Sequence, residues 1–201
     1  MRVFSPYQTK LWLECPLKRI LVTKERWMPR AVGPPDLAGL LGTAIGAGLE
    51  VYNLKGDRPA GVALETAVKL SAETLKLGRT IPERHLSQWN NIPGRAEAAV
   101  NAYVELADQC GGLPPGLPDG CEIVAVEQSY GPKGGWSRPD LKLSDSRAQR
   151  VPFDYKHSLS LGAKASDREY ILTKKIAGWA NDVQFLTYCW LDSVLHYYVG
   201  H

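Results

Sequence analysis

The chain has 201 residues, of which 44% are apolar and 22% charged, enough to bury one sizeable core and too few to make two ordinary domains the expectation. No run approaches the roughly 18 consecutive apolar residues of a membrane span. The N-terminal MRVFSPYQTK lacks the apolar segment and small-residue cleavage site of a secretory signal, so a single cytoplasmic α/β domain over residues 1–201 without membrane contact is expected.

In chain order, Ser5 before Pro6 reads as an N-cap with proline in the first helical position. It opens a short helix through Tyr7, Leu11 and Leu13 toward Cys15 and Pro16, running on to about Arg19. Residues 1–30 carry Arg2, Lys10, Lys18, Arg19, Lys24, Arg26 and Arg30 against Glu14 and Glu25. That excess either tracks a phosphate backbone or forms a solvated helix face. Asp36 caps a second helix, DLAGLLGTAIGAGLEVYN, whose glycines weaken it and so point to close backbone packing or an approaching substrate.

A third helix spans about Gly61 to Leu77, with Leu64, Ala67, Val68 and Leu75 on one stripe. A fourth spans about Arg95 to Gln109, with Val100, Tyr103, Val104 and Ala107 at helical spacing. The linker CGGLPPGLPDG then separates a helical part, about 1–110, from a sheet part, about 121–201. Strand-like runs follow from Glu122 to Tyr130, Trp136 to Leu143 and Arg150 to His157. A last helix is expected from about Thr173 to Trp190, and SVLHYYV reads as a closing strand. The four cysteines, Cys15, Cys110, Cys121 and Cys189, form no C-x-x-C pair, so reduced thiols are expected.

The segments RPDLKL at 138–143 and VPFDYKHS at 151–158 place an acid on one strand and an acid-x-lysine on the next. Alternate side chains of a strand share a face, so Asp154 and Lys156 point together while Tyr155 and His157 point away. If the hairpin aligns Asp140 with Asp154, two carboxylates and an ammonium converge. Like charges repel, and a divalent cation is the natural reason to keep both acids ionised. Oxygen donors at a hydrated site suit Mg²⁺ or Mn²⁺. A lone acid-x-lysine is far more often surface charge or an ion pair.

Five segments in a fixed order make the pattern specific. They are SPYQTKLWLECP at the start, LGTAIGAGLE at 41–50, PDL at 139–141, DYK at 154–156 and QFLTY at 184–188. Together, from about Ser5 to Tyr198, they resemble the RecB-like branch of the PD-(D/E)XK nucleases, the group of recombination-helicase nuclease domains and stand-alone exonucleases associated with CRISPR loci.

The resemblance implies a restriction-endonuclease-like core, a small mixed sheet flanked by helices with a helical N-terminal half. It further implies a metal-dependent deoxyribonuclease of bacterial, archaeal or phage origin. Asp140 and Asp154 would ligate the metal with the Tyr155 carbonyl, and Lys156 would orient or activate the attacking water. Gln184 and Tyr188, four residues apart on a helix, would face substrate or serve ordinary packing. Glu127 would be an auxiliary carboxylate or a strand-edge ion pair. DNA is the implied partner, delivered by a helicase, recombination or CRISPR-adaptation protein.

Two departures qualify the resemblance. The family's metal-binding histidine falls at Gly46, which offers no ligand, and neither His157 nor His85 is an evident substitute. Relatives that bind a 4Fe-4S cluster use one N-terminal and three C-terminal cysteines, but residues 190–201 contain none, so no cluster is expected. The chain ends on HYYVGH inside or just after a strand, which leaves room for continuation beyond His201. A competing expectation, resting on Gly46, is a nucleic-acid-binding module that keeps the fold without turnover. RNA as substrate is equally compatible, since phosphate contacts do not report the sugar.

Overall fold

The computed structural model describes residues 6–23, 35–127, 138–156, 174 and 198–200. The architecture is mixed α/β, with helices α1 (Pro6–Glu14), α2 (Pro16–Thr23), α3 (Leu37–Asn53), α4 (Pro59–Lys76), α5 (Glu83–Asn90) and α6 (Ile92–Gln109) followed by strands β1 (Glu122–Val126), β2 (Leu141–Ser144), β3 (Arg150–Tyr155) and β4 (Tyr198–Gly200). Among the described residues no helix is long and apolar enough to cross a membrane. The chain divides into two compact units. One holds residues 1–29, 122–154 and 158–199, and the other holds 30–121, 155–157 and 200–201.

The second unit is helical. Asp36 caps α3 as expected, its carboxylate accepting the Gly39 N–H at 3.0 Å, which satisfies a donor that the first turn cannot use internally. Helices α3, α4 and α6 pack around Leu41, Ala44, Leu49, Ala63, Ala67, Ala96 and Val100, all buried. At Gly48 an added Cβ would lie 2.7 Å from the Pro59 carbonyl oxygen, 2.9 Å from Val100 and 3.0 Å from Ala63. The three helices meet at a point where only hydrogen fits.

Helix α6 ends with Gly111 at φ +71° and the Gly112 N–H bonded to the Ala107 carbonyl at 2.8 Å. This left-handed cap consumes a carbonyl that the helix leaves open, and it is what the glycines of the linker are for. Helix α5 was not expected from the sequence. Only Trp89 of it is buried, and the segment ERHLSQWN offers two apolar residues, Leu86 and Trp89, to mark a helical stripe.

The first unit contains α1, α2 and most of the sheet, whose strand order is β1-β2-β3-β4. The expected sheet was mixed; the two pairings with defined register, β1 with β2 and β2 with β3, are both antiparallel. The first helical segment is two helices, because Pro16 cannot donate within a continuing helix and instead starts α2. The strands are also shorter than expected. Strand β1 stops at Val126 because Glu127 takes φ +50°, and β3 stops at Tyr155. The expected helix from about Thr173 to Trp190 lies outside the described residues apart from Lys174, which is helical.

Leu141, Leu143, Val151 and Phe153 fill one face of β2 and β3 and are 0–2% exposed. Lys142 and Asp154, on the other face, are also buried. Both faces of these two strands are therefore covered, unlike a half-solvated hairpin.

Candidate functional site

The site is built from the register of the β2–β3 hairpin. Its turn is fixed by Asp145, whose carboxylate accepts the Arg147 and Gln149 N–H groups at 2.9 Å each, while its own N–H bonds the Gln149 carbonyl at 3.0 Å. This side-chain clamp within a short turn holds one register against the alternatives. Leu141 then faces Phe153, Lys142 faces Pro152 and Leu143 faces Val151.

Asp140 immediately precedes β2, next to the Leu141–Phe153 pair, and Asp154 immediately follows Phe153 in β3. On the other side, Val126 faces Leu141 and the Glu127 N–H bonds the Asp140 carbonyl at 2.9 Å, which brings Glu127 beside Asp140.

Asp154 is only 4% exposed and Asp140 is half-buried. Two acids held this way repel each other unless a cation answers them. Glu127 directs its carboxylate to the Arg138 Nε in an ion pair whose arginine is largely exposed. Among the described residues, no group of three His, Cys, Asp or Glu side chains is arranged to hold a metal ion. What the sheet offers is a pair of acids. Two hard oxygen ligands with water in the remaining positions fit Mg²⁺ or Mn²⁺ better than a softer ion, which would demand nitrogen or sulfur.

Tyr155 and Lys156 belong to the helical unit. The Tyr155 phenol accepts a hydrogen bond from Asn53 Nδ2 at 3.1 Å and shares another with the Tyr103 hydroxyl at 2.7 Å. The ring of Tyr103 stands edge-on to those of Tyr155 and Tyr52, with centroids 5.4 Å and 6.0 Å away. Burial, then the neighbouring Tyr155, raise the Tyr103 phenol well above its ordinary range. Burial, then the hydrogen bond to Asp108 at 2.7 Å, push Tyr52 up to about 12. The Tyr155 side chain is thus engaged with residues of α3 and α6. Lys156 is half-buried.

Gly46 lies within α3, half-buried, and an added Cβ there would meet nothing within 4 Å. His85 sits on α5, where its Nε2 accepts from the Arg84 Nε at 3.2 Å. Gln184, Tyr188 and His157 lie outside the described residues. Cys15 and Cys110 are exposed and Cys121 is buried, while Cys189 is outside the described residues.

Lys142 is the residue that the sequence reading missed. It is 6% exposed and lies in β2, two positions after Asp140, which precedes the strand. The signal was present: Asp140-Leu141-Lys142 has the same acid-x-lysine spacing as Asp154-Tyr155-Lys156.

In comparisons with known proteins, no family model, no curated protein and no solved structure matches this chain.

Proposed function

We propose that the chain is a Mg²⁺- or Mn²⁺-dependent deoxyribonuclease of the RecB-like PD-(D/E)XK kind, hydrolysing phosphodiester bonds at DNA ends. The observation that supports this reading is the antiparallel β2–β3 register, which pairs Leu141 with Phe153, the neighbours of Asp140 and of the buried Asp154. Asp140, Asp154 and the Tyr155 carbonyl would hold the cation. Bound there, the cation would lower the pKa of a water and neutralise charge growing on the phosphate.

The residues of the chain do the rest. The two carboxylates fix the position of the acidic end of the site. Lys156 places an ammonium near the attacking water and stabilises negative charge in the transition state. Glu127 is an auxiliary group through its link with Arg138. Gln184 and Tyr188 would contact the substrate strand. The basic residues Lys10, Lys18 and Arg19 on α1 and α2 add sequence-independent attraction for phosphate. A cytoplasmic setting with a helicase, recombination or CRISPR-adaptation partner completes this reading.

A second reading, a nucleic-acid-binding module of the same fold without turnover, is favoured by Gly46 alone. Incubating the protein with labelled single- and double-stranded DNA and Mg²⁺ or Mn²⁺ separates the two. Because a side chain at position 46 meets no obstacle, Gly46→His is a fair attempt to complete the ligand set. Cleavage by either form, lost in Lys156→Ala, supports the nuclease. Metal-dependent binding with no cleavage by Gly46→His supports the module.

A further inference from the structure

We propose that the hydroxyl of Tyr155, held by Asn53 and Tyr103, is a positioning group for Lys156, pinning the residue before that lysine to helices α3 and α6. The inference rests on the proposed role of Lys156 and adds to it Asn53 and Tyr103, which lie outside the motif segments of the sequence. These residues and Lys156 all belong to the helical unit. Strand β3 ends at Tyr155, so Lys156 is the first residue past the strand, and whatever fixes Tyr155 fixes one end of the lysine backbone.

The Tyr155 oxygen accepts from Asn53 Nδ2 at 3.1 Å and shares a hydrogen bond with the Tyr103 hydroxyl at 2.7 Å, across 102 and 52 residues of sequence. Each partner is itself held. The same Asn53 nitrogen donates to the Leu49 carbonyl at 2.8 Å within α3, which sets the orientation of the amide, since a carbonyl accepts only from its NH₂ end. Tyr103 is held by its ring, which stands edge-on to those of Tyr155 and Tyr52, and Tyr52 is bonded in turn to Asp108. Ring packing alone would be served as well by phenylalanine. The hydroxyls add direction, because a hydrogen bond constrains angle as well as distance.

The test has two readouts on the full chain. In DNA cleavage, Tyr155→Phe keeps the ring and is expected to lower kcat about tenfold with KM for DNA within about twofold of wild type, since a displaced ammonium weakens the chemical step and not substrate binding. The second readout needs neither DNA nor metal: the rate at which acetic anhydride modifies Lys156 in EDTA, read by mass spectrometry, with the exposed Lys55 as internal reference. The half-buried Lys156 should react about two- to tenfold faster in Tyr155→Phe, the change in local opening expected when a hydrogen bond of ordinary strength is lost. Asn53→Leu and Tyr103→Phe should each move it in the same direction. A network that only supports the fold would lower the melting temperature and leave Lys156 reactivity unchanged relative to Lys55, and that result in a folded Tyr155→Phe overturns the proposal. So does an active Tyr155→Phe with the kcat of wild type.

Should Tyr155→Phe not fold, Asn53→Leu and Tyr103→Phe, each of which removes one bond to the Tyr155 hydroxyl, carry the test. If none of these variants folds, the network supports the helical unit as a whole and the proposal falls. If wild type cleaves no DNA, the nuclease reading falls by itself. The labelling then decides the place of Lys156 independently: faster modification upholds the assignment and an unchanged rate sinks it.

Discussion

Within α3, the two glycines at 46 and 48 have the same sequence signature and opposite physical roles. Gly48 sits where a Cβ would be 2.7 Å from a backbone oxygen of Pro59, an atom that cannot swing aside. Gly48→Ala should therefore destabilise the protein by about 1–3 kcal/mol through overpacking. At Gly46 nothing lies within 4 Å of the added atom, so Gly46→Ala should be neutral or stabilise by about 0.5–1 kcal/mol through reduced unfolded-state entropy. Urea denaturation of the two variants checks the pair, and a Gly48→Ala protein as stable as wild type would contradict the packing seen here. The sequence announced that this helix packs closely somewhere. It did not say where, because which glycine meets α4 and α6 depends on the rotation of α3 against helices distant in sequence.

At the scale of elements, the tyrosines join α3, α6 and the end of β3 through rings and hydroxyls rather than through the apolar stripe that periodicity reveals. Tyr52 hydrogen-bonds Asp108, and Tyr103 hydrogen-bonds Tyr155. Both Tyr52 and Tyr103 have phenols raised above the ordinary value, Tyr52 to about 12. A group whose folded pKa is raised holds its proton more tightly when folded. Its stabilisation is complete below the unfolded value near 10 and is lost as pH rises through the folded one.

Melting temperature should accordingly fall as pH is raised from 10 toward 12, and Tyr52→Phe should flatten the slope. A Tyr52→Phe profile that parallels wild type would show that the loss arises elsewhere. The helices themselves were largely legible: α3 follows from its Asp36 cap and α6 from its apolar spacing, whereas α4 buries Ala63, Ala67 and Thr74 and leaves Val68 and Leu75 of the expected stripe over half exposed. The start of α4 lay two residues earlier than the stripe indicated, because Pro59 opens it. Helix α5 was not expected because it is short and mostly polar, with only Trp89 buried.

For the whole molecule, strand alternation told which residues of β2 and β3 share a face. Register, which decides whether two acids meet, follows from a five-residue turn clamped by Asp145 and had to be seen. The acid-x-lysine motif itself crosses the division of the chain, with Asp154 in the sheet-bearing unit and Tyr155 and Lys156 in the helical one.

A cation held by Asp140 and Asp154 stabilises the folded state in proportion to its occupancy, about 2.7 kcal/mol at a hundred times its dissociation constant. For a chain of this length that corresponds to a rise in melting temperature of about 5–10 °C. Asp154→Asn should abolish the rise along with any nuclease activity, since it removes a ligand. Lys156→Ala should keep the rise and lose turnover, since in the proposed mechanism its ammonium would act on the water and not on the cation. EDTA should return wild type to its metal-free melting temperature. A shift of equal size in Asp154→Asn would place the cation elsewhere on the protein and remove the ground for a metal site at Asp140 and Asp154.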